Sequence, residues 1–123
     1  MDQFKQALDM HLKSIADRDI AAFSEFLHPS HSSMVILPNG HMLKSNEDII
    51  DFHIEWFADL DWRMDVKIMD ILDMGSVGYA LCDVIYHDID EDGKPYQMEY
   101  FLSLLFNKIE GKWVLIRDQN TLK

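Results

Sequence analysis

Between Tyr96 and Phe106 an apolar side chain falls on every second residue: Tyr96, Met98, Tyr100, Leu102, Leu104 and Phe106. A period of two places them on one face of a strand. Glu110-Gly111-Lys112 turns the chain into a second strand, with Val114, Ile116, Asp118 and Asn120 on one side and Trp113, Leu115, Arg117, Gln119 and Thr121 on the other. Polar groups thus sit inside an otherwise apolar surface. The hairpin 96–121 is expected to be the centre of the fold, with the upstream chain wrapping it around a partly polar pocket.

Upstream the period changes to that of a helix. Phe4, Leu8, Leu12 and Ile15, with His11 on the same side, make an amphipathic stripe over residues 2–17. Asp19 can cap a second, shorter helix carrying Ile20, Phe23 and Leu27, which His28-Pro29-Ser30 ends. Met34 to Leu37 reads as a short strand, and Asn39-Gly40 as a tight turn into His41, Met42 and Leu43. Ser45 followed by Asp48 starts a third helix, lined by Ile49, His53, Trp56 and Leu60 with Ile50, Ile54 and Phe57 beside them. Being apolar around much of its girth, this helix is expected to be deeply buried.

Trp62, Met64, Val66 and Ile68 alternate with polar residues until the phase slips near Met69 and Asp70, as a bulge produces. Val77 to Ile89 then presents Tyr79, Leu81, Asp83, Ile85 and His87 on one face and Ala80, Cys82, Val84 and Tyr86 on the other. An antiparallel sheet with two apolar faces needs cover on both. Helices on one side and a second subunit on the other supply it.

Composition narrows the class. At 123 residues and 48% hydrophobic the chain suits one folded domain, 1–123. Its 22 acidic and 11 basic residues give a net charge of -11, which repels phosphate backbones and anionic lipid and disfavours nucleic acid and membranes as partners. The single Cys82 cannot close an internal disulfide and reads as a core thiol. The start MDQFKQALDM lacks the layout of a secretory signal, and no apolar run approaches the roughly 20 residues of a membrane helix. A soluble, cytoplasmic protein is expected.

Asp88, Asp90, Asp92, Gly93 and Glu99 fit the spacing of a calcium-binding loop. That loop needs a helix on each side, whereas both flanks here alternate like strands, and Pro95 falls where a backbone N–H is normally offered. An acidic hairpin turn on Asp92-Gly93 fits better. His28 and His31 lack acid or cysteine neighbours and do not read as a metal pair. There is no phosphate-cradling glycine loop and no nucleophile elbow, and no cofactor is expected.

The order helix, helix, short hairpin, helix and four long strands, with SIADRDIAAFSEFLHP (14–29), DFHIEWF (51–57) and GKWVLIRDQNT (111–121), resembles the nuclear-transport-factor-2-like superfamily. Within it the chain is similar to the polyketide-cyclase-like (SnoaL-like) proteins and to the association domain of calcium/calmodulin-dependent protein kinase. The resemblance implies a cone-shaped, cystatin-like α+β fold, three N-terminal helices wrapped on a curved, mostly antiparallel sheet, and a homodimer through the sheet's outer face. It implies that His53, Asp118 and Asn120 line a pocket. The kinase association domain offers arginines to a carboxylate ligand; here Asn120 and Leu104 stand at such positions, which disfavours an anionic ligand.

The candidate acid–base residues are His53, Asp83 and Asp118, since burial raises a carboxyl's pKa and a histidine gives it a proton partner. Trp56, Tyr79, His87, Tyr100 and Asn120 are candidate ligand contacts. The alternatives are a core histidine for His53, and for the two aspartates a buried network or a pair with Arg117 at the dimer face. Two functions fit: binding of a small apolar or carbonyl-containing molecule, and a cofactor-independent isomerase, cyclase or dehydratase.

Overall fold

The computed structural model describes residues 3–123. Helices α1 (Phe4–Ala16) and α2 (Ile20–Ser24) are followed by strands β1 (Met34–Ile36) and β2 (Met42–Leu43), helix α3 (Asn46–Ala58), and strands β3 (Arg63–Asp73), β4 (Val77–Ile89), β5 (Pro95–Ile109) and β6 (Lys112–Leu122). The expected helical start at Asp2 lies outside the described residues. The strands form one curved sheet in the order β2-β1-β6-β5-β4-β3, antiparallel except where β1 runs parallel to β6.

Helices α2 and α3 start where side chains satisfy free N–H groups. The Asp19 carboxylate accepts the Ala22 N–H at 3.1 Å and the Ser45 hydroxyl oxygen accepts the Asp48 N–H at 3.1 Å. Glu47 and Asp48 lie in the first turn of α3, where the helix dipole favours negative charge. Asn46 stitches that turn to the preceding loop, donating to the carbonyls of His28 and His31 and accepting the Ser33 N–H, each at 3.0 Å. The loop is thereby pinned over the parallel β1–β6 pair.

Phe4, Leu8, Phe23, Ile49, Ala80, Cys82, Val84, Leu104 and Phe106 are essentially inaccessible and form the core between the helices and the sheet's inner face. Fully burying a side chain the size of Phe or Leu contributes about 1.5–3 kcal/mol. Gly78 makes room for one of them: a Cβ there would stand 2.4 Å from the Phe4 ring. Cys82 is fully buried, and burial, with Asp118 nearby, pushes its thiol up to about 11, as suits a core thiol.

Three expectations need correction. Helix α3 stops at Ala58, leaving Leu60 77% exposed, and it buries only Ile49, His53 and Phe57; Ile54 faces outward. Helix α2 ends at Ser24, short of Leu27. The faces of β6 do not alternate throughout, because its register against β5 shifts between Phe106↔Leu115 and Leu105↔Arg117. The extra residue is a β-bulge, which inverts the alternation. Trp113 and Leu115 therefore share the inner face with Asp118 and Asn120 and are buried, while Arg117, Gln119 and Thr121 face outward.

The other expected irregularities are present. β3 bulges between Ile68 and Asp70. Strands flank the acidic segment, whose turn is closed by the Asp90 carboxylate accepting the N–H groups of Asp92 and Lys94 at 2.9 and 2.8 Å, with Gly93 at φ +78. No helix among the described residues is long and apolar enough to cross a membrane.

Candidate functional site

A cavity of about 190 Å³ opens between α3, the end of α1, the β1–β2 turn and the inner faces of β3 to β6. Its wall is apolar and aromatic: Ile15, Val35, Leu37, Pro38, Phe52, Trp56, Met64, Tyr86, Tyr96, Met98, Tyr100 and Leu102. Three polar side chains complete it, His53, Asp118 and Asn120. Tyr96, 41% exposed, also lines an adjoining surface cleft with Asp61, Arg63, His87 and Asp88, so it stands at the mouth.

The register of β5 and β6 sets the polar floor. Leu104 pairs with Asp118 and Leu102 with Asn120, side chains on the inner face, while parallel β1 closes the far side with Val35 opposite Asp118. Asn120 donates to the Ile36 carbonyl at 2.7 Å and to Asp118 Oδ1 at 3.0 Å. That hydrogen bond favours the carboxylate, but burial outweighs it and raises Asp118 from 3.8 to about 7. Near neutral pH this carboxyl exchanges its proton with little bias.

His53 is 4% exposed and stacked on Phe23, ring centroids 4.1 Å apart. A carbonyl can only accept, so His53 Nδ1 carries the proton that meets the Ile49 carbonyl at 2.7 Å. Burial lowers its pKa to about 4 against the opposing pull of that bond, so the ring is neutral and Nε2 is an acceptor. Tyr100 is 4% exposed, and burial, then Asp118, raise its phenol, leaving a neutral hydroxyl. An acceptor nitrogen, a carboxyl poised between two states, a phenol and an amide together can bind a polar group and move a proton on it.

An aromatic stack holds the other wall. Trp56 lies on Trp62 at 4.3 Å, and Arg18 stacks on Trp62 at 4.0 Å while donating to the carbonyls of Asp59 and Trp62. Trp56 Nε1 donates to the Tyr86 hydroxyl at 3.2 Å, which donates to Asp88 at 2.6 Å. These contacts hold the rings of Trp56, Trp62 and Tyr86 in place.

The structure brings together His53, Trp56, Tyr100, Asp118 and Asn120. It does not bring Asp83, Tyr79 or His87 to them. These three occupy the alternate positions of β4, whose inner face is Ala80, Cys82, Val84 and Tyr86, so they project from the opposite side of the sheet. There Asp83 pairs with Lys123 at 2.9 Å, Tyr79 meets Ser103 at 3.3 Å, and His87 pairs with Asp65 at 2.9 Å. Asp83 therefore stands apart from the cavity.

A model of the SnoaL-like domain family matches residues 5–119. The chain belongs to the SnoaL-like family. Solved structures share the fold of this SnoaL-like domain at low identity. One from Streptomyces avermitilis, described as a dehydratase of the NTF2-like family, superposes with a TM-score of 0.81 at 12% identity, over 98% of this chain and 94% of that one. A protein from Thiobacillus denitrificans, described as a calcium/calmodulin-dependent protein kinase II association domain, gives 0.80 at 11% identity over 100% and 97%. A ketosteroid isomerase-like protein from Erwinia carotovora gives 0.78 at 13% over 96% and 92%. No curated protein sequence matches the chain.

Sequence reasoning missed Tyr86, Tyr96, Phe52 and Met98 in the wall of the SnoaL-like cavity. Met98 and Tyr96 share the alternation of Tyr100 and Leu102, and Tyr86 that of Cys82 and Val84, so strand period carried the signal for these three. Phe52 lies one residue before His53, off the stripe the helical period singles out. His11 was read as part of the core stripe. It is fully buried among Phe23, Phe26 and Phe106, neither ring nitrogen finds a hydrogen-bond partner, and burial, then His53, lower it to about 3.

Proposed function

We propose that the chain is a single, homodimeric domain that binds a small, mostly apolar molecule in the cavity, anchoring its polar end at Asp118, Asn120 and His53. The observation that carries this reading is the placement of a buried carboxyl and an acceptor histidine in an otherwise apolar, aromatic wall. A few convergent polar groups in a pre-formed apolar cavity are the usual form of a ligand site. The second copy covers the outer sheet face, where Tyr79, Leu81, Ile85, Phe101 and Leu105 stand half-buried around the Asp83–Lys123 pair. The soluble, cytoplasmic setting expected from the sequence belongs to this reading. Native mass spectrometry of protein from its own cells tests it: a dimer carrying a small molecule is expected, and a bare monomer overturns it.

A second reading is favoured by the Asp118 proton balance near pH 7. Asp118 would act as general acid and base on a carbonyl-containing substrate, with the Tyr100 hydroxyl donating to the oxygen and His53 Nε2 as the neighbouring proton acceptor. It requires faster α-proton exchange of a bound aryl ketone in D2O with wild type than with Asp118→Asn; equal rates remove it.

A further inference from the structure

Among the described residues lining the cavity, no lysine or arginine appears. Cations near this end of the molecule stand outside the wall. Arg18 stacks on Trp62, a ring that does not line the cavity, and Arg63 lies in the adjoining cleft. The mouth is acidic: the Tyr96 phenol is raised by partial burial and then by Asp88, Asp59 and Asp90. Inside, Trp56, Tyr86, Tyr96 and Tyr100 line a space in which, among the described residues, the one carboxyl is that of Asp118. Aromatic faces carry negative quadrupole charge and attract cations, most strongly where water is excluded.

We infer that the ligand is an organic cation, an amine on an apolar or aromatic skeleton, whose nitrogen sits against the aromatic wall and takes Asp118 as its counter-ion. This rests on the pocket reading and names the class of molecule bound there. An anion meets no lysine or arginine in the described wall, a carboxyl beside it and a net charge of -11. A neutral molecule can add a hydrogen bond to the one from Asn120 but brings the carboxyl no opposite charge. An ammonium gives a buried carboxyl the partner that makes its ionised form stable.

Proton uptake and release follow. Cys82 from β4, Tyr100 from β5 and Asn120 on its own strand act on or with Asp118, His53 from α3 and Tyr86 from β4 share the cavity lining with it, and β1 contributes Val35 and Ile36, which do not titrate. None of these is charged at neutral pH. A bound cation therefore acts on Asp118 unopposed and expels its proton.

The test compares 3-phenylpropylamine, 3-phenylpropanol and 3-phenylpropanoate, which share one skeleton, by isothermal titration calorimetry and by NMR shifts of cavity residues. The amine is expected to bind about tenfold or more tighter than the alcohol, with the carboxylate weakest. In buffers of different ionisation heat, binding the amine to wild-type protein releases close to one proton per site at about pH 6 and almost none at about pH 8.5. Asp118→Asn removes the amine's advantage over the alcohol. Equal or tighter alcohol or carboxylate binding, or no proton release, overturns the cation assignment while leaving the pocket reading in place. If none of the three shifts a cavity residue at millimolar concentration, the pocket reading falls with it.

Discussion

Asp118, His53 and His11 make stability depend on pH with opposing signs. Both histidines have folded pKa values below the ordinary 6.5, about 4 and about 3, so the unfolded chain takes up protons first and stability falls as pH drops below 6.5. Asp118 has a folded pKa of about 7 against 3.8, so its contribution is fully present below 3.8 and is lost as pH rises toward 7. Each group acts with a slope of at most about 1.4 kcal/mol per pH unit. Between pH 6.5 and 5 the aspartate offsets one histidine. Asp118→Asn removes that offset, so in urea titrations the variant is expected to lose stability on acidification about twice as steeply as wild type, and at pH 8 to be more stable than wild type by about 1–3 kcal/mol. Parallel pH profiles for the two proteins would mean that the carboxyl is not held near neutral in the fold. The Asp118 carboxyl that lines the cavity is thus a burden on the empty fold at and above neutral pH.

At the scale of elements, the close approach of α1 to β4 hangs on one missing side chain. Gly78→Ala brings a methyl group 2.4 Å from the Phe4 ring, so either α1 lifts or Phe4 leaves its rotamer. The expected loss is about 1–3 kcal/mol, seen as a lower urea midpoint with an unchanged slope. A variant as stable as wild type would show that α1 is not held there. The stripe of α1, the starts of α2 and α3, the Asn39-Gly40 turn, the acidic hairpin and the β3 bulge were legible in the sequence, because each leaves a periodic, capping or turn-residue mark. The β6 bulge was not: Trp113, Val114, Leu115 and Ile116 are all apolar, and in such a run a one-residue slip leaves no trace. That slip decides that Trp113 and Leu115 are core residues. The faces of β4 were separated correctly, but both carry ionisable or phenolic groups. Only the packing of the helices tells which side holds the cavity, and it places Asp83, Tyr79 and His87 on the other.

For the whole molecule, the helices cover one face of the sheet and leave the other with a half-buried apolar centre on β4 and β5. A second copy packed there would bury it and surround the Asp83–Lys123 pair. Leu105→Asp places a charge at that centre without touching the cavity, and light scattering at micromolar concentration is expected to return a dimer for wild type and a monomer for the variant. Equal masses would leave the outer face without the proposed role. The SnoaL-like fold itself hosts proteins described as dehydratase, isomerase-like and association domains, so the site and not the fold must carry the functional argument. Native mass spectrometry of the protein drawn from its own cells joins both parts of the proposal in one spectrum. Twice the chain mass plus one small molecule per subunit, shed on collisional activation and absent from Asp118→Asn, is the result predicted; a bare chain, or a retained molecule indifferent to Asp118, would contradict it.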